Sequence, residues 1–389
     1  MLRVGGSSLT LPAMKSGNVA IVGRTNVGKS TLLNALLGEP LAITSPLPQT
    51  TRDALLGVLT TADTQIAFLD TPGLHRPRSE LGRRMNATAL EALRHCDVVL
   101  FMTAPNLQQG QPAQDARVAG EHSLIDPDDK RLVAALPAQV PAVLLVNKVD
   151  LMRNKRRLLP LLVEFQNLHP FKHIVPISAL KQDGLANVVR VIGDELPERA
   201  AEYPSDTLTD RPTSFFVREY VREQIMRLTA REVPHAVAIT VDRYLERPGI
   251  VEIAATIHVE KDGQKGIIVG HGGAVIKKIG TQARLRLVDL LGTKVHLELF
   301  VRVTTRWKDA PRMLAELGYE ADSPRSLRQL LPGAEPKSHK AAVSKVTARK
   351  EAARKQAGPS QGSHRGKSRP QRSGPPARRN KPNRNERRS

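Results

Sequence analysis

This 389-residue chain is predicted to hold an α/β domain with a doubly wound, mostly parallel sheet, then a smaller α+β domain, then a disordered basic tail. Three observations predict this. Between residues 15 and 200, short apolar runs each stop at a polar motif, the pattern of fully buried parallel strands. After a Pro-bearing stretch at 203–207 and 210–212, the pattern changes to helices and period-two strands in the order α-β-β-α-α-β. Finally, Lys+Arg number 59 against 38 Asp+Glu, a formal charge of +21, and residues 337–389 alone carry 17 Lys/Arg against 2 Asp/Glu.

Composition narrows the function. So basic a chain points to a polyanionic partner, nucleic acid first and an anionic membrane surface second. The one cysteine, Cys96, rules out a disulfide framework and a Cys-rich zinc site, and is read as a core thiol in a cytoplasmic protein. No run of eighteen apolar residues exists to span a bilayer. The tail, residues 323–389, is rich in Pro, Gly, Ser, Asn and Gln. Its segment 337–389 has no aromatic residue, Leu or Ile, so it lacks the apolar surface to offset chain entropy. Residues 1–14 form a loose extension, too weakly patterned for a secretory signal, and translation could begin at Met1 or Met14. The first domain is placed at 15–200, a linker at 201–212 and the second domain at 213–322. The segment 105–141 holds a surface insertion at 108–123 and a helix at 127–136.

The first strand, 18–22, runs into Gly23-Arg24-Thr25-Asn26-Val27-Gly28-Lys29-Ser30 and a helix from Thr31. A glycine-bearing loop between strand and helix wraps backbone N–H groups around phosphates, with the helix N-terminus favouring the negative charge. Lys29 would reach the β- and γ-phosphates, and the Ser30 hydroxyl would ligate Mg²⁺. Next, Ile66-Ala67-Phe68-Leu69 ends in Asp70-Thr71-Pro72-Gly73. Asp70 would hold the Mg²⁺ shell, and the Gly73 N–H would sense a γ-phosphate. Between them lies Pro48-Gln49-Thr50-Thr51-Arg52, where one threonine would ligate Mg²⁺. Sequence does not choose between Thr50 and Thr51; Thr51 is favoured.

The strand Val143-Leu144-Leu145-Val146 leads to Asn147-Lys148-Val149-Asp150, and Ile174-Val175-Pro176-Ile177 leads to Ser178-Ala179-Leu180. The Asp150 carboxylate matches the N1–H and N2–H₂ donors of guanine, and adenine would leave it unpaired. Lys148 would lie over the base, Asn147 would tie the loops together, and Ser178-Ala179-Leu180 would meet guanine O6. Leu74 stands where many regulatory GTPases carry a water-orienting glutamine, so intrinsic hydrolysis is expected to be slow. The catalytic set is therefore Lys29, Thr51 and Gly73, and the metal set Ser30, Thr51 and Asp70. Asn26 resembles the asparagine of potassium-responsive GTPases, which places K⁺ beside it.

In the second domain, a helix at 215–229 carries Val217, Tyr220, Val221, Ile225 and Leu228 on one stripe. Strands at 236–241, 251–259 and 295–303 follow the 2.0 period, the first two joined by a turn near Pro248-Gly249. Gly270-His271-Gly272-Gly273 is a G-x-x-G turn between helices, where a sugar-phosphate backbone can come close. Lys277 and Lys278 follow on the next helix. With 3% aromatic residues a base-stacking platform is disfavoured, and Trp307 is read as a packing residue.

Taken together, Ile21-Val22-Gly23 through Ser30-Thr31-Leu32-Leu33-Asn34, the Thr50-Thr51-Arg52 loop, Asp70-Thr71-Pro72-Gly73, Asn147-Lys148-Val149-Asp150 and Ser178-Ala179-Leu180 resemble the G domain of the Era GTPases. Arg227-Leu228-Thr229, 260–270 and 276–281 resemble the type II KH domain of that family. The resemblance covers about residues 14–319. It implies a P-loop GTPase domain joined to a KH domain, with GTP/GDP and Mg²⁺ bound, acting in 30S ribosomal subunit assembly. It implies binding near the 3′ end of 16S rRNA and partial association with the inner membrane surface. A monomer is expected. Thr25 stands where the family carries proline, the 105–141 segment is longer, and the basic tail lies outside the family pattern. Two other readings are an RNA-binding assembly factor with GTP or GDP as a structural ligand, and a membrane-surface regulatory GTPase. Tandem-G-domain factors are disfavoured because there is one phosphate loop.

Overall fold

The structure is a computed structural model. It describes residues 14–47, 49–74, 76, 77, 79–105, 123–152, 154–230 and 232–319, with Arg157 described by its backbone alone. The expected N-terminal extension up to residue 13, nearly all of the 108–123 insertion and the basic tail lie outside the described residues.

Ten strands and nine α-helices are built from the described residues. The first sheet contains β1 (Met14–Val22), β2 (Leu55–Thr60), β3 (Thr64–Asp70), β4 (Val98–Thr103), β5 (Ala142–Val146), β6 (His173–Pro176) and β7 (Glu198–Arg199). Their order is β2-β3-β1-β4-β5-β6, with β7 antiparallel to the start of β1. All neighbours are parallel except β2 with β3 and β7 with β1. The expected first strand reaches back to Met14, which the expected boundary left in the extension. Met14 and Lys15 pair there with Arg199 and Glu198.

Helices α1 (Lys29–Leu37), α2 (Glu80–Arg94), α3 (Pro127–Ala134), α4 (Leu158–Leu168) and α5 (Leu185–Glu195) cover this sheet. One face packs Val19, Ile21, Leu32, Leu33, Val188 and Ile192 together. The other packs Ala20, Val22, Ala92, Leu93, Phe101, Leu144 and Phe165. The strand runs are apolar on both faces because both faces are covered. Cys96 lies in the second of these layers, and burial pushes its thiol up to about 12.

The second domain begins with α6 (Thr213–Leu228) and continues through β8 (Ala238–Arg247), β9 (Ile250–Val259), α7 (Asp262–Val269), α8 (Ala274–Leu291) and β10 (Lys294–Val303). This is the expected α-β-β-α-α-β order, with α9 (Pro311–Glu316) added. The sheet order is β10-β9-β8; β9 and β10 run parallel and β8 antiparallel. Two details differ from expectation. Residues Val233–His235 form a 3₁₀ turn, so β8 starts at Ala238 rather than 236. And α6 is buried over Phe215–Val217 and again from Tyr220 to Met226, Arg222 and Glu223 included, rather than along one stripe. Trp307 is fully buried, stacks on Tyr319 and donates from Nε1 to the Ala236 carbonyl at 3.0 Å, the packing role expected of it.

The linker is stitched down. Buried Gln65 accepts from the Glu202 and Tyr203 amides at 2.8 and 2.9 Å and donates to the Tyr203 carbonyl at 2.8 Å. The Val58 amide donates to the Leu208 carbonyl at 2.9 Å, and Arg211 donates to the Ala54 carbonyl.

Candidate functional site

Four loops at the C-terminal ends of β1, β3, β5 and β6 meet at one edge of the first sheet, where open α/β sheets hold their ligands. The loop after β1 hands over to α1 at Lys29. Gly28 takes φ 106°, and a Cβ there would lie 2.5 Å from Asn147 Nδ2, so glycine is what lets this loop touch the next one. Lys29 Nζ donates to the Gly23 and Arg24 carbonyls at 3.0 and 2.9 Å. Burial pulls its ammonium down to about 8, against the opposing pull of Asp70 and Asp129. A phosphate arriving there would meet a cation poorly solvated by water.

Arg24 does something the sequence did not reveal. Its guanidinium turns toward α3, pairing with Asp126 at 2.9 Å and Asp129 at 2.8 Å and donating to the Ala104 carbonyl at 3.3 Å. Asp129 is itself buried and accepts from the Thr103 hydroxyl at 2.6 Å. The side chain anchors the loop, which leaves the Arg24 backbone as its part of the cradle.

Asp70 ends β3 and is fully buried. The Ser30 hydroxyl donates to its Oδ2 at 2.7 Å, Thr51 Oγ1 lies 2.8 Å from Ser30 Oγ, and Thr51 reaches the same Oδ2 at 3.3 Å. Thr50 turns the other way and donates to the Leu47 carbonyl at 2.8 Å. So of the two threonines it is Thr51 that faces Ser30 and Asp70. Burial pushes the Asp70 carboxyl above its usual range, opposed by Lys29 and the two hydroxyls. Its Oδ1 is buried with no hydrogen-bond partner among the described residues. A carboxylate with an unmatched oxygen beside two hydroxyls is a hard oxygen donor set, and it fits Mg²⁺.

Gly73 lies against Thr25, and Leu74 pairs with Arg24 as a short parallel bridge. Thr71 is buried and its hydroxyl donates to the Ile21 carbonyl at 2.8 Å, so its side chain staples β3 to β1. Val27, Pro72 and Leu74 are likewise buried and support the loops by packing.

The third loop is organised by Asn147. Its Nδ2 donates to the Val27 carbonyl at 2.7 Å and its Oδ1 accepts from the Ala179 amide at 2.9 Å. Lys148 takes φ 63° and its Nζ donates to the Asn26 carbonyl at 2.7 Å. Asp150 is exposed in the 3₁₀ turn Val149–Leu151, Ser178 and Ala179 are buried, and the Leu180 side chain is 75% exposed. Asn26 itself takes φ 62° and donates from Nδ2 to the Pro46 carbonyl at 3.0 Å.

In the second domain the G-x-x-G turn lies between α7 and α8. Gly270 has φ 71° and ψ 171°, a region open essentially to glycine alone, and a Cβ there would lie 2.5 Å from Val275 Cγ2. His271, Gly272, Lys277 and Lys278 are exposed around it, with Gly273 half-buried. Ile267, 49% exposed on the α7 side of the turn, presents an apolar side chain there that sequence reading passed over. The turn can bring a sugar-phosphate backbone close while two lysines balance its charge.

Sequence reading also missed Arg52 and Arg222. Both are buried, and they bind backbone carbonyls 185 and 172 residues away, so no local signal could have found them.

Two family models match the chain: a 50S ribosome-binding GTPase model over residues 18–148 and a KH domain model over 232–308. The chain is 44% identical over 313 residues to GTPase Era of Geotalea daltonii, covering 80% of this chain and 100% of that one. It is 46% identical over 307 residues to GTPase Era of Geobacter metallireducens, covering 78% and 98%. Among solved structures, Era in complex with MgGDPNP and nucleotides 1506–1542 of 16S ribosomal RNA superposes with a TM-score of 0.71 at 38% identity, covering 79% of this chain and 99% of that one. A single-residue variant of Aquifex aeolicus Era bound to GDP·AlF₄⁻ gives 0.69 at 38%, covering 79% and 100%.

Proposed function

The chain belongs to the GTPase Era family, and from that premise we propose a GTP-hydrolysing switch that grips 16S rRNA through its KH domain during 30S subunit assembly. One observation carries the reading: Ser30, Thr51 and Asp70 converge beside the phosphate loop while Asn147 fastens that same loop to the base-reading segments. The RNA reading draws support from the relative whose structure holds a 16S rRNA segment.

In this reading the backbone from Gly23 to Thr31 surrounds the phosphates. Lys29 exchanges its two carbonyl partners for β- and γ-phosphate oxygens. Ser30, Thr51 and Asp70 hold Mg²⁺, which when bound neutralises phosphate charge. Thr51 and the Gly73 N–H respond to the third phosphate, and Asp150 reads guanine. Leu74 has no polar atom to orient water, so hydrolysis relies on electrostatic stabilisation of charge on the γ-phosphoryl oxygens. Slow intrinsic turnover follows. Lys29→Ala should abolish nucleotide binding or turnover, and an active variant would refute the assignment. Crosslinking to total RNA in GTP and in GDP, with sequencing of bound fragments, tests the rRNA target; fragments lacking the 3′ region of 16S rRNA would exclude it.

Finer points belong to the same proposal. The protein works as a cytoplasmic monomer, and its basic tail adds a salt-sensitive hold on RNA or on an anionic membrane face. Co-sedimentation with anionic vesicles, with and without 337–389, separates the two. K⁺ beside Asn26 should raise partner-free turnover over Na⁺, and equal rates would remove that idea.

A further inference from the structure

Thr51 lies between two residues that are both gripped by the KH domain. On one side, the Thr50 carbonyl accepts from the Arg222 guanidinium of α6, which Glu219 steadies through Nε at 2.9 Å. On the other, Arg52 leaves the G domain altogether. Its Nη1 donates to the Val237 carbonyl at 2.5 Å and to Tyr319 Oη at 3.2 Å. Its Nη2 reaches the Pro234 and His235 carbonyls at 3.3 and 3.4 Å, and its guanidinium carbon lies 5.8 Å from the Trp307 ring centroid. Arg52 is 3% exposed and Arg222 is 1% exposed. Residues 49–54 belong to no helix or strand, so no ladder fixes their position. These two side-chain anchors do. With its neighbours held from outside, the Thr51 hydroxyl is left facing Ser30 and Asp70.

We propose that Arg52 and Arg222 are positioning residues for the hydrolytic site, through which the KH domain holds Thr51 at the metal and γ-phosphate position. The inference rests on the reading of Thr51 given above and adds what puts it there. A guanidinium suits this task because its fork of donors can span several carbonyls at once. Both arginines act on the loop that a triphosphate engages and not on the loops that hold a diphosphate. Domain placement and triphosphate affinity thereby become linked quantities.

The test measures affinity for a non-hydrolysable GTP analogue and for GDP, each with Mg²⁺, on the full chain. The variants are Thr51→Ala, Arg52→Ala, Arg52→Lys, Arg222→Lys and the Thr51→Ala/Arg52→Ala pair. Arg52→Ala should weaken the analogue by about tenfold, a typical coupling size, and leave GDP within about twofold. The pair should bind the analogue no worse than Thr51→Ala alone, because both changes remove one interaction. Arg52→Lys should recover part of the loss. If Thr51→Ala itself spares the analogue, the Thr51 reading falls. If Thr51→Ala is selective but Arg52→Ala weakens both nucleotides equally, or adds fully to Thr51→Ala, the positioning role is overturned. Should Arg52→Ala fail to melt as a folded protein, Arg52→Lys and Arg222→Lys carry the test, and an unchanged analogue-to-GDP ratio in both overturns it.

Discussion

Replacing Asn147 by alanine removes a side chain that ties three loops of the candidate nucleotide site together. The side chain is 3% exposed and makes two short bonds, to the Val27 carbonyl at 2.7 Å and from the Ala179 amide at 2.9 Å. Each is worth about 1 kcal/mol net, and the stranded Ala179 N–H adds about 1 kcal/mol or more. The total is about 3 kcal/mol. If the loops relax apart to relieve this, nucleotide binding must restore them, and the apparent affinity falls by the population of the competent arrangement. That corresponds to a GDP dissociation constant raised by about 100-fold. Gly28→Ala attacks the same joint from the opposite side, forcing a Cβ to 2.5 Å from Asn147 Nδ2 at φ 106°, and should weaken GDP similarly. Fluorescent-GDP titration of the full chain measures both, with far-UV circular dichroism as the folding control. Folded variants that bind GDP within about threefold of the native chain would refute the claim that these contacts organise the site.

Three further outcomes are expected. Asp150→Asn removes a charged acceptor for two donors, so GTP should weaken by about 100-fold or more while xanthosine triphosphate gains relative to it; competition titration decides. Gly270→Ala, placed in a glycine-only backbone region against Val275, should cost about 1–3 kcal/mol locally and weaken RNA binding without slowing hydrolysis; anisotropy with a labelled 16S 3′ fragment and phosphate release read the two. Burial raises the Cys96 thiol from 9.0 to about 12, so near pH 8 the native chain should alkylate about 1,000-fold more slowly than the unfolded chain. Native reactivity should still be rising at about pH 10, where unfolded reactivity has begun to level off.

The candidate nucleotide site was legible in the sequence because its motifs follow apolar runs that bury themselves on both faces. Asp70 ends such a run and Asn147 directly follows one, while Ser30 and Asp150 belong to the motifs that open where β1 and β5 stop, so parallel pairing delivers all four to one edge. Other parts obey no local rule. The strand β2 is buried at Leu55-Leu56-Gly57-Val58 without alternation, and it pairs antiparallel with β3 only because the chain turns back at once. Helix α6 hides Arg222 and Glu223, which a periodicity count assigns to solvent. Glu223 is matched by Arg227 and by Arg286, the latter 63 residues away. Which of Thr50 and Thr51 faces Asp70 is settled by where the loop bends, and the Leu47 carbonyl claims Thr50.

The stretch joining the two domains reads like a hinge, yet Gln65, Val58 and Ala54 hold Glu202, Tyr203, Leu208 and Arg211 along the rim of the first sheet. A tether fastened at that many points contributes no slack. Lengthening it with glycine and serine would not merely add reach; it would unpick a seam. A protease seeking a loose connection between the halves should find little purchase there.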